Sequence, residues 1–148
     1  RLYGAKFYRN PAHYWWCVAL LVEGLNSLSS QASPPITAVS VASHTPGKRH
    51  WLDSALLALL MDKRIGTHVN LAWRRPTMPQ HTRPTPVDRW ENVREGLQLL
   101  QPITGPAVLL DDVTTTGATL YNAALAMRRA GYAHPLSGLT LCYVPSGE

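Results

Sequence analysis

Residues 107–119 read AVLLDDVTTTGAT: apolar residues run into two adjacent acids, Asp111 and Asp112, and then into four threonines around one glycine. A carboxylate accepts two hydrogen bonds side by side, which suits the vicinal hydroxyls of a sugar. The stretch Thr115-Thr116-Gly117-Ala118-Thr119 stands where a strand gives way to a helix, and a helix start offers unpaired amides and partial positive charge. Hydroxyls and a glycine that admits close backbone approach complete a cradle for phosphate. Helix capping alone accounts for Thr115 or Thr116 and leaves both acids and the other threonines without a purpose. A guest held by hydroxyls at one end and by phosphate at the other is a pentose 5-phosphate.

A second cluster follows the first core strand. Ser43, His44, Thr45, Gly47, Lys48 and Arg49 combine hydroxyls, close backbone and two cations, as a diphosphate leaving group requires. The alternative is a solvated basic turn before a helix. Its position at the carboxyl end of a strand favours the ligand role. Arg74, Arg75, Gln80, Arg83 and Arg89 lie in or beside a proline-rich loop, where they could close over a ligand as a lid. Trp73 and Trp90 alternate with these arginines, so nucleic-acid contact competes with closure, and bracing of the lid by Arg89 and Asn92 is a third use.

These clusters need a scaffold that presents strand ends. The 148 residues, 45% hydrophobic and 16% charged, describe one globular domain with a proper core. Residues 11–31 read as a helix apolar nearly all round, capped by Asn10 and entered through Pro11; such a helix is buried or covered by a partner subunit. Strands are expected at 36–42, 68–73, 97–100, 106–111 and 136–144. Helices are expected at 51–62 and 116–130, the latter closed by Gly131, with a short helical turn at 88–95. Strands alternating with helices predict a mostly parallel, twisted α/β sheet flanked by helices.

Several classes are excluded. The longest apolar run, residues 14–22, is too short to span a bilayer, and no secretory signal is legible, which points to a cytoplasmic protein. Cys17 and Cys142 make no CxxC pair and read as buried thiols. The six histidines show no helical metal spacing, and the net charge of +5 suits a polyanionic ligand.

The stretch AVLLDDVTTTGAT resembles the phosphoribosyl-diphosphate motif of type I phosphoribosyltransferases, differing at Thr114, where that family has an aliphatic residue. Within the superfamily the chain is most similar to the ComF-like branch. That branch has RGFNQxxxLA after the first core strand; here Arg49, Leu57 and Ala58 agree and Trp51 keeps an aromatic ring. Arg74 or Arg75, Gln80 and Arg89-Trp90-Glu91-Asn92-Val93 follow in the branch's order. The prolines of the first core strand and the N-terminal zinc ribbon of many ComF proteins are missing here.

The resemblance implies a single phosphoribosyltransferase-like domain over residues 1–148, with a core at 36–144 and a small N-terminal helical hood at 1–31. It implies binding of phosphoribosyl diphosphate or a nucleotide 5-phosphate. Asp111, Asp112 and residues 114–119 would hold the sugar phosphate, and Ser43, His44, Thr45, Lys48 and Arg49 the diphosphate. Asp111, Asp112 and Arg49 would be the catalytic residues. Mg²⁺ would sit near Asp111 and Asp112, through ligand or water. The activity implied is transfer of ribosyl 5-phosphate to a nitrogen nucleophile, with His44 and His81 the candidates for a general base. The alternatives are a non-catalytic nucleotide sensor in a DNA-handling assembly and a nucleic-acid binder. The apolar N-terminal helix is the expected contact for a second copy or a protein partner.

Overall fold

The computed structural model of the protein describes residues 11–29, 35–43, 50–75 and 85–144. The chain runs α1 (Pro11–Ser29), β1 (Thr37–Val41), α2 (Trp51–Met61), β2 (Thr67–Trp73), α3 (Pro86–Val93), β3 (Leu97–Gln98), β4 (Ala107–Thr114), α4 (Ala118–Arg129) and β5 (Leu136–Tyr143). The five strands form one sheet in the order β3-β2-β1-β4-β5. β2, β1, β4 and β5 are mutually parallel, and only the short β3 runs antiparallel to its neighbour.

Strands covered on both faces have no need of polar alternation, and β1 and the first half of β4 are buried almost without interruption. Alternation still divides the core. Val108 and Leu110 face one layer with Val18, Leu21 and Leu25 of α1 and Leu52, Leu56 and Leu59 of α2. Ala107 and Leu109 face the other with Val39, Leu71, Leu97 and, from α4, Ala123, Ala126 and Met127. α1 lies close on β5: a Cβ at Gly24 would meet Leu139 Cδ1 at 2.8 Å, so a larger residue here would have to displace that leucine side chain. Cys17, Val18, Leu21 and Leu25 of α1 are buried, while Trp15 and Trp16 are exposed.

Local chemistry sets the helix starts. Thr85 and Asp88 form a capping box around Pro86 at the start of α3. His50 and Asp53 form another at the start of α2. α4 ends with Gly131 at φ 86°, where Arg128 Nη1 donates to the carbonyls of Tyr132 and His134 at 2.8 and 3.0 Å.

Several boundaries differ from expectation. β4 does not stop at Asp111. It continues to Thr114 because β5 goes on pairing with it through Asp111–Thr140, Val113–Cys142 and Thr114–Tyr143. α4 starts two residues later than expected, at Ala118, because Gly117 takes a left-handed conformation at φ 72°. The turn expected at 88–95 is a helix from Pro86 to Val93, and Asp62 caps α2 instead of extending it. β3 is shorter than expected, and Gln31 and the cap Asn10 lie outside the described residues. Cys17 is buried and Cys142 half-buried, and both are free thiols.

Candidate functional site

Strand order turns the site into a geometric consequence. β1 pairs with β2 on one side and β4 on the other. The chain leaves β1 for α2 on one face and leaves β4 for α4 on the opposite face. Adjacent parallel strands whose connections diverge in this way open a crevice at their carboxyl ends. Asp111, Asp112 and the threonine turn flank it from β4, and Val41, Ala42 and Ser43 from β1.

The two acids do not converge. Both lie within β4, so their side chains point to opposite faces of the sheet. Asp112 is 5% exposed and turns to the α1–α2 side. There its Oδ2 accepts the indole N–H of Trp51 at 2.9 Å, with His50 Nε2 at 3.6 Å. His50 Nδ1 accepts the amide of Leu52, so Nε2 carries the proton that faces Asp112. Tyr14 packs edge-on against Trp51 with ring centroids 6.4 Å apart, bringing α1 to the same strand end. Burial raises the Tyr14 hydroxyl pKa; it also raises that of the Cys17 thiol, with the Asp112 charge adding to the shift. Asp111 is half-buried on the α4 side. The expectation that both carboxylates grip one diol is therefore corrected: strand alternation separates them, and Trp51 and His50 engage Asp112.

The cradle itself is formed. Gly117 at φ 72° has nothing within 4 Å of an added Cβ, so its conformation, not crowding, demands glycine. Thr116 Oγ1 accepts the Ala118 amide at 3.3 Å and Tyr121 N donates to Gly117 O at 2.9 Å. The second and third helical residues, Thr119 and Leu120, carry the orphan amides that any helix start leaves. Thr115, Thr116 and Thr119 are half-buried around them. Thr114 departs from this group: it is the last residue of β4, and its hydroxyl is buried without a hydrogen-bond partner.

His44, Thr45, Lys48, Arg49, Gln80, His81 and Arg83 lie outside the described residues. Ser43 is half-buried at the end of β1, and Arg74 is exposed just beyond β2. Arg75 does not point over the crevice: its Nη2 donates to the carbonyls of Glu91 and Arg94 at 3.4 and 3.1 Å, closing the end of α3. Arg89 is half-buried on α3. Trp73 is half-buried against the α4-side core, and its indole N–H donates to Ala42 O at 2.8 Å and ties β2 to the end of β1. Trp90 packs edge-on against Tyr121 of α4, centroids 5.1 Å apart.

Sequence reasoning missed a polar cluster beside the crevice. Ser40 Oγ is within 3.1 Å of Asp53 Oδ1 and 2.9 Å of His68 Nε2, and also bonds to Asn70 Oδ1. Asp53 Oδ2 accepts the His50 amide at 3.1 Å. The legible signal was an acid three residues after a helix-start His, the spacing of a capping box. Burial lowers the His68 pKa, with the Asp53 charge pulling weakly the other way. The unfolded chain therefore binds the His68 proton more readily than the folded one, so this site loses stability as pH falls through the ordinary imidazole value near 6.5. Chemical denaturation at pH 8 and pH 5 should show a larger acid loss in the parent than in His68→Gln.

Among the described residues no group of three or more His, Cys, Asp or Glu could hold a metal, and no helix is long and apolar enough to cross a membrane. A Mg²⁺ ion would fit here only in the manner of one bound mainly by ligand phosphates and water, with Asp111 the acid outside the Trp51–His50 contact.

The same fold occurs in solved structures. Adenine phosphoribosyltransferase from Saccharomyces cerevisiae, complexed with an imino-altritol bisphosphate and adenine, superposes with a TM-score of 0.59 at 11% identity, covering 93% of this chain and 72% of that one. A second adenine phosphoribosyltransferase superposes at 0.56 and 13% identity, covering 93% and 73%. No protein-family model matches the sequence, and no curated protein matches it. The chain has the type I phosphoribosyltransferase fold: a five-stranded, mostly parallel sheet flanked by helices.

Proposed function

We propose that the protein binds phosphoribosyl diphosphate with Mg²⁺ and transfers its ribosyl 5-phosphate group to a nitrogen nucleophile, releasing diphosphate. The observation that carries this reading is the placement of DDVTTTGAT at the carboxyl end of β4, beside β1, with α4 opening at a left-handed Gly117. The amides of α4 and the hydroxyls of Thr115, Thr116 and Thr119 receive the 5-phosphate, and Asp111 accepts hydrogen bonds from the ribose diol. Displacement breaks the bond from the anomeric carbon to the diphosphate oxygen and forms one to nitrogen, through an oxocarbenium-like state. The negative charge of Asp111 and Asp112 at this strand end favours that state. Lys48 and Arg49 stabilise the departing diphosphate, and Arg49 is the catalytic cation. Mg²⁺ would neutralise diphosphate charge.

The finer placement in the ComF-like branch rests on Arg49, Trp51, Leu57 and Ala58 and on Arg89, Asn92 and Val93 of α3. A sensing role without turnover has its own support in Asp112, which Trp51 and His50 already engage.

Calorimetric titration with phosphoribosyl diphosphate, with and without Mg²⁺, tests the reading, followed by diphosphate release with bases, ammonia and nucleosides. Saturable Mg²⁺-dependent binding with release supports the transferase. Binding without release across the panel supports the sensor, and no saturable binding overturns both.

A further inference from the structure

We propose that Ser40, Asp53 and His68 are positioning residues for Asp112, acting through the first turn of α2; this rests on the sugar-phosphate reading above. A hydrogen-bonded path crosses the carboxyl end of the sheet. It starts on β2, where His68 and Asn70 reach Ser40 Oγ of β1. Ser40 Oγ continues to Asp53 Oδ1 at 3.1 Å, and Asp53 Oδ2 holds the His50 amide at 3.1 Å. From there His50 and Trp51 reach Asp112 Oδ2 of β4 at 3.6 and 2.9 Å. The middle of β2 and the carboxyl ends of β1 and β4 are thus joined through one helix start.

The donor count is consistent along the path. Ser40 has one hydroxyl proton, shared between the oxygens of Asp53 and Asn70; with it so committed, His68 Nε2–H is the donor to Ser40 Oγ. Ser40 is 1% exposed, too deep to meet a ligand, and so its effect on one must pass through the groups it holds. The same face carries Ala38, Leu52, Leu56, Val108 and Leu110. Ser40 is in register with Leu110 and His68 with Ala38, so these polar groups stand within the apolar layer itself, two residues before Asp112 along β4. A fully satisfied network rigidifies what it joins.

Two readouts separate positioning from plain structural support: exchange of the Trp51 indole proton, assigned by NMR through its loss in Trp51→Phe, and affinity for ribose 5-phosphate. Ser40→Ala should speed the indole exchange and weaken ribose 5-phosphate binding about tenfold, the equivalent of one hydrogen bond. Asp53→Asn, nearer the surface, should do the same if Ser40→Ala does not fold. His68→Gln, which keeps an N–H donor, should stay within about threefold of the parent, and His68→Leu should fall with Ser40→Ala. Folded Ser40→Ala or Asp53→Asn protein with parental exchange and affinity overturns the proposal, as does His68→Gln losing as much as His68→Leu. Failure of the parent to bind ribose 5-phosphate would sink the transferase reading alone, because the indole exchange still decides the path.

Discussion

Asp111→Asn should weaken phosphoribosyl diphosphate binding by about 30- to 150-fold, the loss expected when two charge-assisted hydrogen bonds to the diol each give up roughly 1–1.5 kcal/mol on becoming neutral ones. The fold should survive. Asparagine is isosteric with aspartate, and the backbone pairing of residue 111 with Thr140 does not depend on the side chain. The thermal midpoint should therefore move by no more than a few degrees, as a half-buried isosteric change does. Titration calorimetry and a melting curve on the same preparation make the check. Parental affinity in a folded Asp111→Asn protein would remove the diol-binding role from this carboxylate.

Asp112→Ala has the opposite profile. Asp112 is 5% exposed and receives the Trp51 indole N–H, with His50 Nε2 close by. Truncation leaves two donors facing a small cavity, at a cost of roughly 2–5 kcal/mol. For a domain of this size that lowers the melting temperature by roughly 5–20 °C. Binding should fall too, because the end of β4 loses its tie to α2. A melting curve unchanged by Asp112→Ala would show that the Trp51 contact contributes nothing. Run together, the two variants separate an acid that serves the ligand from one that serves the frame, a distinction that adjacency in sequence conceals.

Much of the fold was legible because its signals are local. β-Branched and apolar runs gave β1 and β4, and Gly131 gave the end of α4. Boundaries failed where a neighbour decided them. Nothing in DDVT announces that β5 will keep pairing as far as Thr114–Tyr143. The lid arginines show the same limit: a basic residue reads alike whether it faces solvent or, like Arg75, closes a helix end through two carbonyls. Ser40 and His68 escaped notice, and Trp51 was read only as a matching aromatic, because each is unremarkable in its own segment, and only β1–β2 pairing and the seating of α2 bring them together.

The sequence by itself determined the chemistry on offer: two acids, a threonine turn and a glycine at a strand-to-helix junction, since residue type and backbone preference are properties of short stretches. Tertiary structure alone decided how that chemistry is shared. Side chains alternate across a strand and α2 lies on one face only, so Asp112 is drawn into contact with Trp51 and His50 while Asp111 stays on the side of α4.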